Sequence, residues 1–249
     1  MKPTTGCRSG MFSLIAVLFF CLPTWSAIGA DWQQVGEAGF SPEPVSWTNL
    51  AVDNFGTLYM AAQDGGNSSF RVMKFDGANW MQIGAGFAGA SEPSLALDSF
   101  GIPYVAYRDA TKSYKISVMR FDGTEWVQVG SAGFTSDRAY SPSLAFDSSD
   151  IPYVAYIDDA YGSRLSVMKF EGIWMPVGEF GFTSGAVPLY PRLVVGSDDM
   201  PYVAYPDSSE NDRLSVMRFD GDSGRWMQIG QPGFTSSSTK HFGFALDKS

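Results

Sequence analysis

An all-β chain, built as a β-propeller with four complete four-stranded blades and a partial fifth, is what three features of the sequence predict. Tryptophans at 32, 80, 126, 174 and 226 recur every 46 to 52 residues. Pro-Tyr-Val-Ala-Tyr stands at 103–107, 152–156 and 201–205, each time followed by Ser-Val-Met at 117–119, 166–168 and 215–217. Asp-Gly dipeptides at 76, 122 and 220 separate that second run from the next tryptophan, as hairpin turns do. A period of 40 to 50 residues that holds several short strands is the mark of propeller blades.

Each unit divides into four strands. Strand a is Leu50-Ala51-Val52-Asp53 and its matches at 95–98, 144–147 and, more weakly, 193–195. Strand b is Tyr104-Val105-Ala106-Tyr107 and its matches, with Tyr59-Met60-Ala61-Ala62 in the first unit. It is apolar on both sides, which places it between two layers, here the neighbouring blades. The prolines at 103, 152 and 201 open this strand, where a missing N–H is tolerated. Strand c carries Met73, Met119, Met168 and Met217 at one equivalent position, so those methionines belong to the blade core. Strand d begins at the tryptophan. The blades fall at about residues 47–84, 93–130, 141–178 and 190–230.

The two ends supply a strand d alone at 31–36 and a strand a alone at 242–247. Strands b and c of that fifth blade are missing. The favoured expectation is a truncated propeller; an open ring and completion by another chain are the alternatives.

Residues 1–30 form a signal peptide in this reading. Lys2 and Arg8 precede an apolar stretch from Met11 to Leu22, and Ala27-Ile28-Gly29-Ala30 offers a cleavage site. The mature domain, 31–249, is then secreted, periplasmic or extracellular. Both cysteines, Cys7 and Cys21, leave with the signal, so neither disulfides nor thiolate chemistry is expected. The formal charge moves from −9 to −11, because the signal holds two basic residues and no acidic one. That charge argues against nucleic acid or an anionic membrane as partner.

Over 32–247 the repeat resembles β-propeller repeat proteins. Asp122-Gly123-Thr124-Glu125-Trp126 resembles the Asp-box of sialidase-type propellers, which also joins strands c and d. It departs from that motif, since Asp122 and Gly123 are adjacent and Arg120 occupies the place of a Ser or Thr. The glycine doublet of kelch propellers is absent. The resemblance implies the fold and transfers no residue's role.

Chemistry is sought where the repeat breaks. Gly-Phe-Thr-Ser after strand d recurs at 133–136, 181–184 and 233–236, and its phenylalanine is expected to plug the space between blades. The segments that follow differ each time and lead into strand a beside the central funnel. They carry the candidate ligand-binding residues Trp47, Arg138, Tyr140, Tyr190, Arg192 and His241. An aromatic and basic rim suits a ligand that stacks and is polar, such as a sugar. Acid–base pairs in the b–c loops (Asp64 with Arg71, Asp109 with Lys115, Asp159 with Arg164, Asp207 with Arg213) are expected to pin those loops. The acidic a–b turns at 147–150 and 197–199 lack the spacing of an EF-type calcium loop. One histidine in the chain excludes a multi-histidine metal centre and disfavours a Ser-His-Asp triad. No cofactor, metal or catalytic residue is assigned. The leading reading is a secreted, non-catalytic propeller that binds a glycan or a protein. The alternatives are a glycan-active hydrolase or lyase with carboxylates at the funnel, and a structural module of a longer cell-surface protein.

Overall fold

A computed structural model describes residues 33–41, 43–65, 68–239 and 241–247. The chain divides into two compact units, Met1–Val35 and Gly36–Ser249. In the first, only 33–35 are described, without regular structure, so the expected signal peptide and Trp32 lie outside the described residues.

The second unit contains four antiparallel sheets. Blade 1 comprises β1 (Val45–Val52), β2 (Leu58–Asp64), β3 (Ser69–Phe75) and β4 (Trp80–Gln82), with the short β5 (Phe87–Ala88) added to β3. Blade 2 comprises β6 (Ala90–Leu97), β7 (Pro103–Asp109), β8 (Lys115–Phe121) and β9 (Trp126–Gln128). Blade 3 comprises β10 (Ala139–Phe146), β11 (Pro152–Asp158), β12 (Arg164–Phe170) and β13 (Trp174–Pro176). Blade 4 comprises β14 (Arg192–Val195), β15 (Pro201–Asp207), β16 (Arg213–Asp220) and β17 (Arg225–Gln228). Within every blade the strands pair in chain order, as a meander. The array is a β-propeller whose sheets do not close into a ring. Residues 242–247 match strand a in sequence yet form no strand among the described residues. A strand needs a ladder partner, and none pairs with them among the described residues.

The repeated residues build the blade interfaces. Trp126 Nε1 donates to the Ile83 carbonyl of the preceding blade at 3.1 Å, Trp174 to Val129 at 3.0 Å and Trp226 to Val177 at 2.8 Å. The plug phenylalanines stack on the next blade's indole, Phe134 on Trp174 at 4.1 Å and Phe182 on Trp226 at 4.3 Å. Phe40 stacks on Trp80 in the same way, at 4.9 Å. Phe87 meets Trp126 edge-on instead, because it stacks on Phe70. Nearer the axis, Leu95 N donates to Asn49 Oδ1, Leu144 N to Ser94 Oγ and Leu193 N to Ser143 Oγ. The alanines of strand b are fully buried where blades approach most closely.

The a–b turns add a third latch. The aspartate that ends strand a caps its own turn: Asp98 Oδ1 accepts from Phe100 N and Ile102 N, and Asp147 Oδ1 from Ser149 N and Ile151 N. Asp150, at φ +59°, accepts from Ser99 N and Oγ of the preceding blade at 2.7 and 2.6 Å. Asp199 receives Ser148 N and Oγ likewise. The acidic residues of these turns therefore hold backbone and neighbouring blades. Asp150→Ala removes two hydrogen bonds between blades 2 and 3. A loss of about 1 kcal/mol is expected, read as a melting point lower by about 2–4 °C.

The b–c loops depart from the expected ion pairs. Asp64 does pair with Arg71, at 2.7 Å. In the other blades the carboxylate turns inward and serves hydroxyl and amide groups. Asp109, Asp158 and Asp207 are buried, and each accepts from the strand-c serine: Ser117 at 2.8 Å, Ser166 at 2.8 Å and Ser215 at 2.9 Å. Each also caps the short 3-10 turn that follows. The same serine oxygens accept from Gly133 N, Gly181 N and Gly233 N, so strands b and c and the plug loop are tied at one point. In blade 3 the residue so placed is Asp158, one position before the aspartate expected from the sequence. Arg213 pairs with Glu210 instead of Asp207.

Candidate functional site

Strand a opens with the same irregularity in every blade. Trp47, Glu92, Ser141 and Tyr190 all adopt positive φ, at +50°, +55°, +48° and +45°. None is glycine, and this region costs a bulky L-residue on the order of 1 kcal/mol or more. In blades 1 to 3 the pairing of strands a and b slips across this residue, between Ser46 and Asn49, Ser91 and Ser94, and Tyr140 and Ser143, whereas in blade 4 strand a begins only at Arg192, two residues after Tyr190, and pairs regularly. The following residue is Thr48, Pro93, Pro142 or Pro191, and proline's fixed φ and missing N–H suit a bulge. A bulge re-aims one side chain. Here it aims the residue three before the strand-a leucine toward the axis. His241 holds the same offset from Phe244 in the partial fifth unit.

These five residues line one cavity of about 310 Å³, together with Asn49, Pro93, Pro142 and Arg192. All four blades and the C-terminal segment contribute to it. Trp47 and Tyr190 meet edge-to-face across the axis at 4.9 Å, and the His241 ring stacks on Tyr190 at 5.3 Å. Glu92 supplies the carboxylate. Its oxygen accepts from Ser141 N at 2.6 Å, and Arg108 lies 3.7 Å away. Burial pushes its carboxyl above the ordinary range, against the lowering by Ser141 N and Arg108.

A second cavity of about 480 Å³ continues outward between blades 3 and 4. It shares Trp47, Glu92, Ser141 and Tyr190 with the funnel and adds Tyr140, Asp159, Ser163 and residues 186–189. The Arg108 guanidinium stands 4.4 Å from both the Tyr114 and the Tyr140 ring, which fixes one wall. Tyr140 Oη donates to Asp159 at 3.1 Å.

Four of the six sequence candidates, Trp47, Tyr190, Arg192 and His241, converge on the funnel. Tyr140 lines the adjoining groove. Arg138 is exposed, lines neither cavity, and its backbone N–H donates to Asp137. Sequence reasoning missed Glu92, Ser141 and Arg108. Counting three residues back from each strand-a leucine would have found the first two. Among the described residues no cluster of three or more His, Cys, Asp or Glu could hold a metal ion.

No protein-family model and no curated protein sequence matches the chain. Similar solved structures are propellers. The SapL1 lectin, in complex with alpha methyl fucoside, superposes with a TM-score of 0.56 at 16% identity over 75% of this chain and 64% of its own. A variant of the Aleuria aurantia lectin in complex with Fucalpha1-6GlcNAc gives 0.50 at 15% over 72% and 59%. A putative glycoside hydrolase from Parabacteroides distasonis gives 0.50 at 12% over 76% and 73%. The chain thus spans less than two thirds of either lectin. At such identities the likeness establishes the shared fold.

Proposed function

We propose that this β-propeller is a secreted glycan-binding protein whose ligand occupies the axial funnel and is not transformed there. The observation that carries the reading is the contrast between two sets of positions. Residues that repeat in every blade form the interfaces, and the one bulge position that never repeats supplies Trp47, Glu92, Ser141, Tyr190 and His241 to a single cavity. Aromatic faces beside a few hydrogen-bonding groups suit a sugar ring, whose C–H face stacks while its hydroxyls find partners. The lectins of similar fold support a carbohydrate ligand. The expected signal peptide supports secretion.

One observation favours a hydrolytic reading instead. Glu92, held toward its neutral form by burial, shares the groove with Asp159, and glycoside hydrolysis needs two carboxyl groups. Both are already engaged, Glu92 by Ser141 and Arg108, Asp159 by Tyr140 and Ser163. Binding is therefore the stronger reading.

A glycan array followed by calorimetry tests it. Saturable binding without product release is expected, and Trp47→Ala with Tyr190→Ala should weaken it at least tenfold, about 1.4 kcal/mol. Unaltered affinity in that double variant would remove the ligand from the funnel. Release of a shorter glycan, abolished by Glu92→Gln, would favour the hydrolase.

A further inference from the structure

The funnel's charges are not balanced alike. Glu92 is compensated in place, because its carboxylate faces Arg108 and the Ser141 N–H. Arg192 is not. Its side chain is half-buried and lines the funnel with Trp47, Tyr190 and His241. Its only described hydrogen bond runs from Nε to the Phe242 carbonyl, at a long 3.4 Å. No carboxylate pairs with it among the described residues, and both terminal nitrogens, with four of the guanidinium's five N–H groups, are left without a protein acceptor. Burial accordingly lowers the guanidinium's hold on its proton, with Tyr190 opposing. The other three inner strands place Asn49, Ser94 and Ser143 at this position, and each accepts a backbone N–H from the next blade. Arginine accepts nothing, so blade 4 gives up that latch and presents a planar donor to the cavity instead.

Resting on the reading of the funnel as a glycan site, we propose that its ligand is an acidic sugar, one bearing a carboxylate, gripped by the Arg192 guanidinium while its ring lies against Trp47 and Tyr190. A carboxylate matches the guanidinium fork with two parallel hydrogen bonds, which a neutral hydroxyl cannot do. The groove between blades 3 and 4 opens from the same residues, so further sugar units run outward past Tyr140 toward residues 186–189. The protein's negative net charge makes this local cation decisive, since the molecule as a whole repels an anion.

Calorimetric titration of the full chain with trigalacturonate, methyl glucuronide and 3′-sialyllactose, beside their methyl esters and the neutral cellotriose and lactose, tests the proposal. At least one acidic probe should bind about 10- to 100-fold more tightly than its ester. Arg192→Gln should bring the affinity for the acid down to that for its ester, and Arg192→Lys should recover part of the preference. The melting point of each variant reports folding separately. Equal affinity for acid and ester, unchanged in Arg192→Gln, overturns the acidic ligand and leaves glycan binding standing. Binding of neutral probes alone does the same. If no probe of either kind binds, both this inference and the glycan reading fail.

Discussion

Gly130→Ala should destabilise the protein by about 2–4 kcal/mol, and Gly230→Ala, its equivalent two blades further on, by only about 1 kcal/mol. Both glycines follow strand d with nearly the same left-handed backbone, φ +66° and +68°. A side chain therefore meets the same conformational penalty at either. The surroundings differ. A Cβ on Gly130 would lie 2.6 Å from Phe170 and 2.9 Å from Trp174 Nε1, inside the aromatic interface between blades 2 and 3. A Cβ on Gly230 would meet nothing within 4 Å. The open side of blade 4 explains this, for no further indole stands opposite it among the described residues, and Phe234, the plug there, is 58% exposed. Thermal unfolding should show the melting point falling about 5–15 °C for Gly130→Ala and about 2–4 °C for Gly230→Ala. Equal shifts would mean that the two sites have equal neighbours, contrary to an open array.

Asp158→Ala should cost about 2–4 kcal/mol, whereas Asp159→Ala, its chain neighbour, should cost less than about 1 kcal/mol. Asp158 is wholly buried, and removing it strands the buried Ser166 hydroxyl and uncaps the Ala160 N–H of the following turn. Asp159 holds Tyr140 and Ser163 at the surface of the groove. Denaturant titration of the two variants separates them. The pH dependence of the wild type has a definite sign. Burial, aided by the charges of Asp137 and Asp159, raises the Asp158 carboxyl above its ordinary 3.8, despite bonds from Ser166 and Ala160. The folded state then binds this proton more tightly than the unfolded chain does. The group's contribution is most favourable below 3.8 and is lost as pH rises through its higher folded value. Asp158→Asn should flatten that segment of the stability curve.

The blade itself was legible because every part of it recurs. Trp126, Trp174 and Trp226 and the glycines beside them sit where a repeating interface requires them, and Phe134 and Phe182 plug the space between blades as expected, whereas Phe234, expected to do the same, stays exposed beside the open side of blade 4. The pairing of side chains in the b–c loops was not legible. Adjacent Asp158 and Asp159 look alike in sequence, and only burial tells the one that ties strands b and c from the one that faces the groove. The funnel was half legible. Trp47, Tyr190, Arg192 and His241 stood out as aromatic or basic residues where the repeat breaks. Glu92 and Ser141 did not, because a positive φ at a non-glycine residue leaves no compositional trace. The bulge also decides between Arg138 and Arg192, two arginines on equally variable segments. Only the second lies after the residue of positive φ, two positions on from Tyr190 at the start of strand a, and it lines the cavity.

The central claim is that the unrepeated bulge residues, and not the blade clefts, hold the ligand. Tryptophan fluorescence during titration with a glycan that binds the wild type tests it most directly. A ligand seated in the funnel must change the emission of Trp47, so the titration signal should vanish in Trp47→Phe while binding, followed by calorimetry, persists at reduced affinity. A signal of undiminished size in Trp47→Phe would place the ligand beside another indole and contradict the assignment of the funnel.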